Sequence, residues 1–131
     1  MKLLTEELEK TFSRYPFESQ EGMGFDSKLL AHFFNPLGDQ HWFITEAEKE
    51  GEDWIMFGYA DLGFGPDCSE WGYMSLQELQ DINLPFGMGI ERDTYSHDTV
   101  REQVEYDGLE YIDIFADKKE ENEYTNEEEE R

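Results

Sequence analysis

The feature that most constrains the fold is a pair of β-rich segments joined by a short charged turn. Residues 41–47 (HWFITEA) and 54–59 (WIMFGY) are rich in aromatic and β-branched side chains, which favour strands. The residues between them are charged and include one glycine, Gly51, a residue type that tight turns accommodate easily. Two strands separated by a tight turn form a hairpin, whose strands are antiparallel. We therefore expect an antiparallel sheet built around this hairpin.

Apolar spacing and capping residues predict helices before and after the hairpin. From Leu4 to Tyr15, apolar side chains recur every three or four residues, and Thr5 is placed to cap this helix. Ser75 opens the sequence SLQE, a capping box that predicts a second, short helix.

The C-terminal third of the folded part carries a further helix signal. This helix is expected to contain Val100 and Val104, with Ser96 or Asp98 as its cap. Residues 109–115 alternate enough to predict an edge strand, although a helix is an open alternative.

These signals predict an α+β fold. Residues 28–34 and 71–74 add short strands, and residues 90–93 add a brief extended segment. We expect a single domain over residues 1–116, with a small antiparallel sheet of about three to five strands and helices packed on one side. Residues 117–131 contain eight acids, three bases and one aromatic side chain, so we expect an acidic, disordered tail.

The charge balance excludes several classes of partner. The chain has 33 Asp and Glu against 10 Lys and Arg, a net charge of −23. Such a field repels nucleic acids, whose binding depends on Lys and Arg, and it repels anionic membranes. We therefore expect no nucleic-acid partner and no membrane partner. The charge favours a basic protein partner or cations, or serves only solubility.

The N-terminus and the cysteine content predict a cytoplasmic location. The first residues turn acidic before any apolar region develops, unlike a secretory signal peptide. No apolar run approaches the length that spans a bilayer. Cys68 is the only cysteine, so no disulfide forms within the chain, as is usual in a reducing compartment.

The most distinctive charged motif is the triplet Glu91, Arg92 and Asp93. Residues 29–116 contain 19 acids and three bases, of which Arg92 is one. An arginine fork can hold two carboxylates in place. Arg92 is therefore expected to be the basic residue whose loss does most damage.

Two interpretations of this triplet stay open. In the first, Arg92 forms a structural ion pair that joins its segment to the sheet. In the second, it anchors an anion or a carboxylate ligand beside Trp42 and Glu46. The second requires the hairpin and the segment around Ile90 to pack together, so that the three side chains line one cleft.

The metal-binding signals are weak. Asp61, Asp67 and Glu70 surround a glycine-rich loop and are candidate calcium ligands, but their spacing is not that of an EF-hand, and a solvated loop is the alternative. His32 and His41 do not form a ligand-spaced pair with each other or with the third histidine. A zinc site would need Cys68 or carboxylates brought in by folding. We expect His32 to be a hydrogen-bonded residue of the sheet.

Reactive and cofactor motifs are missing from the sequence. Cys68 stands among acids without an adjacent base, which argues against a nucleophile. The glycine pairs at residues 22–24 and 63–65 lack the lysine of a phosphate-binding loop. We expect no cofactor, a non-enzymatic role is favoured over an enzymatic one, and the sequence gives no signal for an oligomeric state.

Six short blocks, in order along the chain, resemble a known family. They are Lys2–Thr5, Phe33–Pro36, Trp42–Glu46, Phe57–Tyr59, Gly72–Leu79 and Ile90–Asp93. In them the chain resembles the bacterial, plasmid and phage family known as domain of unknown function 2958. Residues 61–68 and the acidic tail lie outside the pattern. The resemblance implies a small protein carried by mobile elements or their hosts, and it implies no reaction.

Three hypotheses about function follow. The first is a non-enzymatic binding or regulatory protein whose acidic surface engages a basic protein surface. Its sharper form is DNA mimicry, in which carboxylates imitate the phosphates of a duplex. The second is a small-ligand-binding protein or an enzyme that uses Arg92 and the neighbouring carboxylates. The third is a structural accessory domain of a larger complex.

Overall fold

The computed structural model describes residues 2–114, which form one antiparallel sheet and three helices. The helices are α1 (Glu6–Arg14), α2 (Leu76–Gln80) and α3 (Val100–Tyr106). The strands are β1 (Ala31–Phe34), β2 (His41–Glu50), β3 (Asp53–Asp61), β4 (Glu70–Ser75) and β5 (Glu91–Arg92). The sheet order is β4-β3-β2-β1-β5, and all neighbouring strands are antiparallel. The predicted α+β fold with three to five antiparallel strands is therefore confirmed.

The predicted hairpin is formed by β2 and β3, and both strands are longer than the apolar pattern indicated. Glu50 pairs with Asp53, which leaves a turn of two residues that begins at Gly51. Gly51 has a φ of 63°, in the left-handed region that glycine adopts without strain. The extra strand residues next to the turn are polar and largely exposed, so the hydrophobic pattern does not reveal them.

A β-bulge at Thr45 changes which face of the sheet the residues of β2 occupy. Ile44 pairs with Gly58 and Glu46 pairs with Phe57, so Thr45 is the additional residue. Ile44 and Glu46 therefore lie on opposite faces, although strict alternation would place them on the same face.

Each face of the sheet carries an apolar core. The larger core joins α1 and α2 to Trp42, Ile44, Met56 and their neighbours. The smaller core contains Phe25, Leu29, Phe43, Tyr59, Val100 and Val104, the last two from α3. Helices α1 and α2 thus pack on one face and α3 packs on the other. This corrects the expectation that all the helices share one side, and the reason is that the strands present apolar side chains on both faces.

The first two helices begin at the predicted caps. The hydroxyl groups of Thr5 and Ser75 accept hydrogen bonds from backbone N–H groups in the first turns of α1 and α2. Helix α3 is capped by Thr99 rather than by Ser96 or Asp98, because Thr99 directly precedes the helix and its hydroxyl reaches the N–H three residues later. Within residues 2–114, none of the helices combines the length and the apolar character that crossing a bilayer requires.

The segment after α3 does not form the predicted edge strand in its described part. Residues 109–113 are irregular, and Leu109 and Tyr111 pack against the smaller core. The chain therefore crosses this core instead of adding to a sheet edge. The predicted acidic tail, residues 117–131, lies outside the described residues.

Candidate functional site

The predicted cleft of Trp42, Glu46 and Arg92 does not form. Trp42 is buried in the larger core, whereas Glu46 follows the bulge and lines a cavity on the opposite face. Arg92 pairs with Phe33, which pairs with Trp42 on the neighbouring strand, so these three residues form one row across the sheet. The bulge is the physical reason that Glu46 is separated from the other two.

The charged triplet lies at the β5 edge of the sheet. Glu91 and Arg92 pair with β1, and Asp93 follows directly, so the segment joins the sheet. All three residues border a cavity of about 440 Å³, which His32 and His41 also line.

A second cavity, of about 380 Å³, lies between the β2–β4 part of the sheet and the loop after α1. We call it the aromatic pocket, and its aromatic and acidic lining residues are Phe57, Trp71, Tyr73, Glu18, Glu21 and Glu46. Phe57 pairs with Tyr73 across β3 and β4, and their ring centroids are 5.1 Å apart. The Trp71 ring stacks 6.0 Å from that of Phe57. Because Tyr73 is 67% exposed, its ring is accessible to a binding partner.

Glu46 holds the loop that forms the opposite wall of the aromatic pocket. Its carboxylate is buried and accepts hydrogen bonds from the backbone N–H groups of Glu18 at 3.0 Å and Gln20 at 2.8 Å. The Gln20 side chain donates in turn to the backbone carbonyls of Lys28 and Thr45, at 2.9 and 2.7 Å. Glu18 adopts a φ of 72°, an uncommon value for a non-glycine residue, and these hydrogen bonds hold it there.

A fork of the kind expected for the triplet arginine is found at Arg101. Its guanidinium donates to Asp26 at 3.0 Å, to Asp113 at 2.5 Å and to the Tyr111 hydroxyl at 3.0 Å. The hydrogen bonds to the two carboxylates raise the pKa of Arg101 above its ordinary value. Arg101 therefore ties α3 to the loop before β1 and to the segment that follows α3.

Phe25 connects this arginine to the aromatic pocket. The guanidinium carbon of Arg101 lies 5.9 Å from the centroid of the Phe25 ring, and that ring makes an edge contact with Trp71 at 5.2 Å. The Arg101 cluster consequently supports the position of one aromatic wall.

Folding brings His32 and His41 side by side, although their spacing in the sequence is not that of a ligand pair. The Nε2 atom of His32 is 2.9 Å from Nδ1 of His41. Antiparallel pairing of β1 and β2 places His32 opposite Phe43, two residues beyond His41. His32 is also bonded to Asp93 at 3.2 Å, which confirms it as a hydrogen-bonded residue of the sheet, and Asp107 lies 3.6 Å from its Nε2.

Burial dominates the electrostatics of this histidine. His32 is 3% exposed, and loss of solvent lowers its pKa, while the hydrogen bond with Asp93 and the charge of Asp107 act in the opposite direction. The net direction is downward, which favours the neutral imidazole with one protonated ring nitrogen.

The acids considered as calcium ligands do not converge. Asp61 is buried and accepts a hydrogen bond from the N–H of Gly63 at 2.9 Å within its own turn. Asp67 and Glu70 border another cavity, of about 360 Å³. Among residues 2–114, the group with metal-compatible spacing consists of His32, His41 and Asp107 and includes none of these three acids.

The fold and these cavities define a small α+β protein with candidate binding sites on one sheet face. Residues 3–107, about four fifths of the chain, match the family described as protein of unknown function, DUF2958. The chain therefore belongs to this family, as the resemblance indicated. No curated protein and no solved structure matches the chain. The aromatic pocket lies inside the matched range, and so does the cluster of His32, His41 and Asp107.

Proposed function

We propose that this protein is a non-enzymatic binding protein that engages a basic protein surface, and that the aromatic pocket receives a Lys or Arg side chain of that partner. The observation that carries the proposal is the combination of three aromatic rings with the carboxylates of Glu18, Glu21 and Glu46 in one cavity.

The chemistry of this lining matches a cation. Lysine and arginine side chains are attracted to the faces of Trp, Tyr and Phe rings, and Trp is the strongest of the three. Phe57, Trp71 and Tyr73 contribute one ring each to the lining of the pocket. Carboxylates complement the same charge, and an arginine guanidinium binds them through paired hydrogen bonds. An anionic ligand would meet repulsion in this pocket.

The overall charge favours the same class of partner. A net charge of −23 steers a basic surface towards the protein and slows the approach of acidic ones. Exposed charges are screened beyond about 8 Å at physiological ionic strength. Binding of the partner is therefore expected to weaken steadily as salt is raised.

DNA mimicry is the sharper form of this proposal. A mimic carried by a mobile element would target a DNA-binding protein of the host and would compete with duplex DNA for it. The competition is tested by adding duplex DNA to the complex with a captured basic partner. Displacement supports mimicry, and continued binding restricts the proposal to recognition through the pocket. In a gel shift at low salt, the protein itself is expected to retard neither duplex DNA nor single-stranded RNA.

Tryptophan fluorescence tests the pocket directly. Trp42 and Trp54 are buried in the larger core, whereas Trp71 lines the pocket, so a bound cation changes the emission of Trp71. The probes are short peptides with one arginine or one lysine, and the control is the same peptide with citrulline, which is uncharged. We expect a saturable change with the cationic peptides that diminishes at high salt. Equal responses to arginine and citrulline, or no saturable response to either cation, would contradict the proposal.

A matched pair of tyrosine variants provides the second control. Tyr73→Ser removes an aromatic wall and is expected to weaken peptide binding about three- to thirtyfold, the range of one cation–π contact. Tyr95→Ser removes a tyrosine that is 92% exposed and lies outside the pocket, so it is expected to bind as the wild type does. Equal losses in the two variants would show that the pocket is not the binding site.

A further inference from the structure

We propose that His32, His41 and Asp107 form a binding site for a divalent transition-metal ion of the zinc type. One ligand atom from each residue lies within 4.8 Å of the other two. Two imidazole nitrogens and one carboxylate oxygen are a donor set that suits such ions and that calcium and magnesium do not prefer.

The distances fit an ion at the centre of the cluster. Bonds of 2.0–2.1 Å in tetrahedral geometry place neighbouring ligand atoms about 3.3 Å apart. The Nε2 atom of His32 is 2.9 Å from Nδ1 of His41 and 3.6 Å from Oδ2 of Asp107, so the observed values bracket this spacing. The third pair, His41 and Asp107, has ligand atoms within 4.8 Å of each other.

The proton count also favours a cation between these atoms. When Nδ1 of His32 donates to Asp93, its Nε2 carries a lone pair. His41 can donate one proton to that lone pair, but none is then available between His32 and the nearby Asp107 oxygen. Three side chains thus direct donor atoms to one place with one proton among them, and a metal ion there would accept an electron pair from each and offset the charge of Asp107. When the ion binds, the His41 proton moves from Nδ1 to Nε2.

Asp93 supplies the support that metal-bound histidines usually have. A ligating histidine commonly donates its second ring N–H to a carboxylate, which fixes its tautomer and orientation. Asp93 is placed for this role at 3.2 Å from Nδ1 of His32. It is held in turn, because its carboxylate accepts from the N–H of Tyr95 at 2.9 Å and its own N–H donates to the His32 carbonyl at 2.9 Å.

Asp107 has support of its own at the end of α3. Its Oδ2 atom accepts a hydrogen bond at 3.1 Å from the side chain of Gln103, which is 1% exposed. The side-chain Oε1 atom of Gln103 accepts in turn from the backbone N–H of His97 at 2.8 Å. The carboxylate is thus oriented towards the histidines before any ion binds.

The three protein ligands leave one tetrahedral position open. His32, His41 and Asp107 all border the 440 Å³ cavity beside β5, so water or a ligand has access to that position. Sites with three protein ligands and an open position are the arrangement of reactive zinc centres, whereas structural zinc sites use four.

Calorimetric titration of the full chain with Zn²⁺, and visible absorption with Co²⁺, test the site. We expect one tight site in the wild type and Co²⁺ absorption bands typical of a low coordination number.

His41→Gln and Asp107→Asn are the informative variants because these side chains are only partly buried. Both are expected to lose the tight site, and Asp93→Asn is expected to weaken it about 10- to 100-fold. Zn²⁺ should raise the melting temperature of the wild type and not that of His41→Gln.

His97→Gln is the matched control, since the His97 side chain is exposed and lies outside the cluster, and the substitution keeps the backbone N–H that contacts Gln103. It is expected to bind Zn²⁺ as the wild type does. Circular dichroism of each variant without metal establishes that it is folded. Absence of a tight site in the wild type would overturn the proposal, as would equal affinities in the wild type, His41→Gln and Asp107→Asn. Equal affinities in these three proteins would mean that the ion binds to carboxylates outside the proposed site.

Discussion

The buried carboxylate of Glu46 accepts a hydrogen bond from the backbone N–H of Gln20 at 2.8 Å, and this contact anchors the loop of the aromatic pocket to β2. Glu46→Gln replaces one acceptor oxygen by an amide group that cannot accept. One backbone N–H then loses its buried partner, which costs about 1–3 kcal/mol of unfolding free energy. Urea denaturation measures the loss.

Glu48→Gln is the control for this substitution. Glu48 also accepts a backbone N–H, from Phe17 at 2.9 Å, but it is exposed and water can replace the carboxylate. We expect a loss below about 0.5 kcal/mol, as at most surface positions. Equal losses of unfolding free energy in the two variants would mean that the buried position of Glu46 does not strengthen its contribution to stability.

Arg101→Lys should show whether the guanidinium fork stabilises the fold. An ammonium group cannot reach Asp26, Asp113 and Tyr111 in the same geometry, so we expect a loss of about 1–3 kcal/mol. Arg92→Lys provides the comparison. A larger loss at Arg92 than at Arg101 would confirm the sequence-based expectation that the triplet arginine matters most to the fold.

Gly58→Ala is expected to destabilise the sheet severely. A Cβ atom at Gly58 would lie 2.0 Å from the carbonyl oxygen of Phe43, where strands β2 and β3 approach each other at the bulge. We expect a loss of at least about 3 kcal/mol, at the upper end for overpacking, or a failure to fold. Gly72→Ala is the control, because Gly72 pairs with Gly58 and has open space at its Cβ position. Similar thermal stability of the two variants would contradict the steric argument.

Stability at acidic pH should depend on Asp53. Burial opposes its ionisation, but hydrogen bonds donated by the Ser75 hydroxyl and by the N–H groups of Gln77 and Trp54 outweigh it and lower the pKa of Asp53. Because the folded pKa lies below the unfolded one, the stabilisation is complete above about pH 4 and is lost as pH falls through the folded pKa. Asp53→Asn should therefore be less stable than the wild type at pH 7, with the difference shrinking at acidic pH. Glu52→Gln, in the exposed turn, should show no such trend in thermal melts.

Local signals in the sequence were sufficient for the caps, the hairpin and the fold class. Thr5 and Ser75 act through N–H groups within three residues, and the hairpin is set by adjacent segments and a two-residue turn. The pairing of β5 with β1 joins residues almost 60 positions apart and has no local signature. The side on which α3 packs likewise depends on which sheet face is left uncovered.

The candidate sites could be predicted only in part from the sequence. Glu46 and the charged triplet were identified as functional candidates, but strict alternation gave no hint of the bulge at Thr45 that separates Glu46 from Trp42. The pair of His32 and His41 has a spacing of nine residues, which becomes a contact only in the register of β1 and β2. Asp107 joins them through the position of α3, a long-range consequence of folding.

Along each strand, odd-numbered and even-numbered residues lie on opposite faces of the sheet. In β1, odd-numbered residues face the larger core and even-numbered ones face the candidate sites, as Phe33 and His32 illustrate. In β2 the parity is reversed, and the bulge at Thr45 reverses it again, so that Ala47 belongs to the core and Glu46 to the aromatic pocket. In a comprehensive mutational scan of β2, positions whose substitution disturbs the larger core should therefore alternate with positions on the face of the candidate sites, and this alternation should shift by one residue at the bulge.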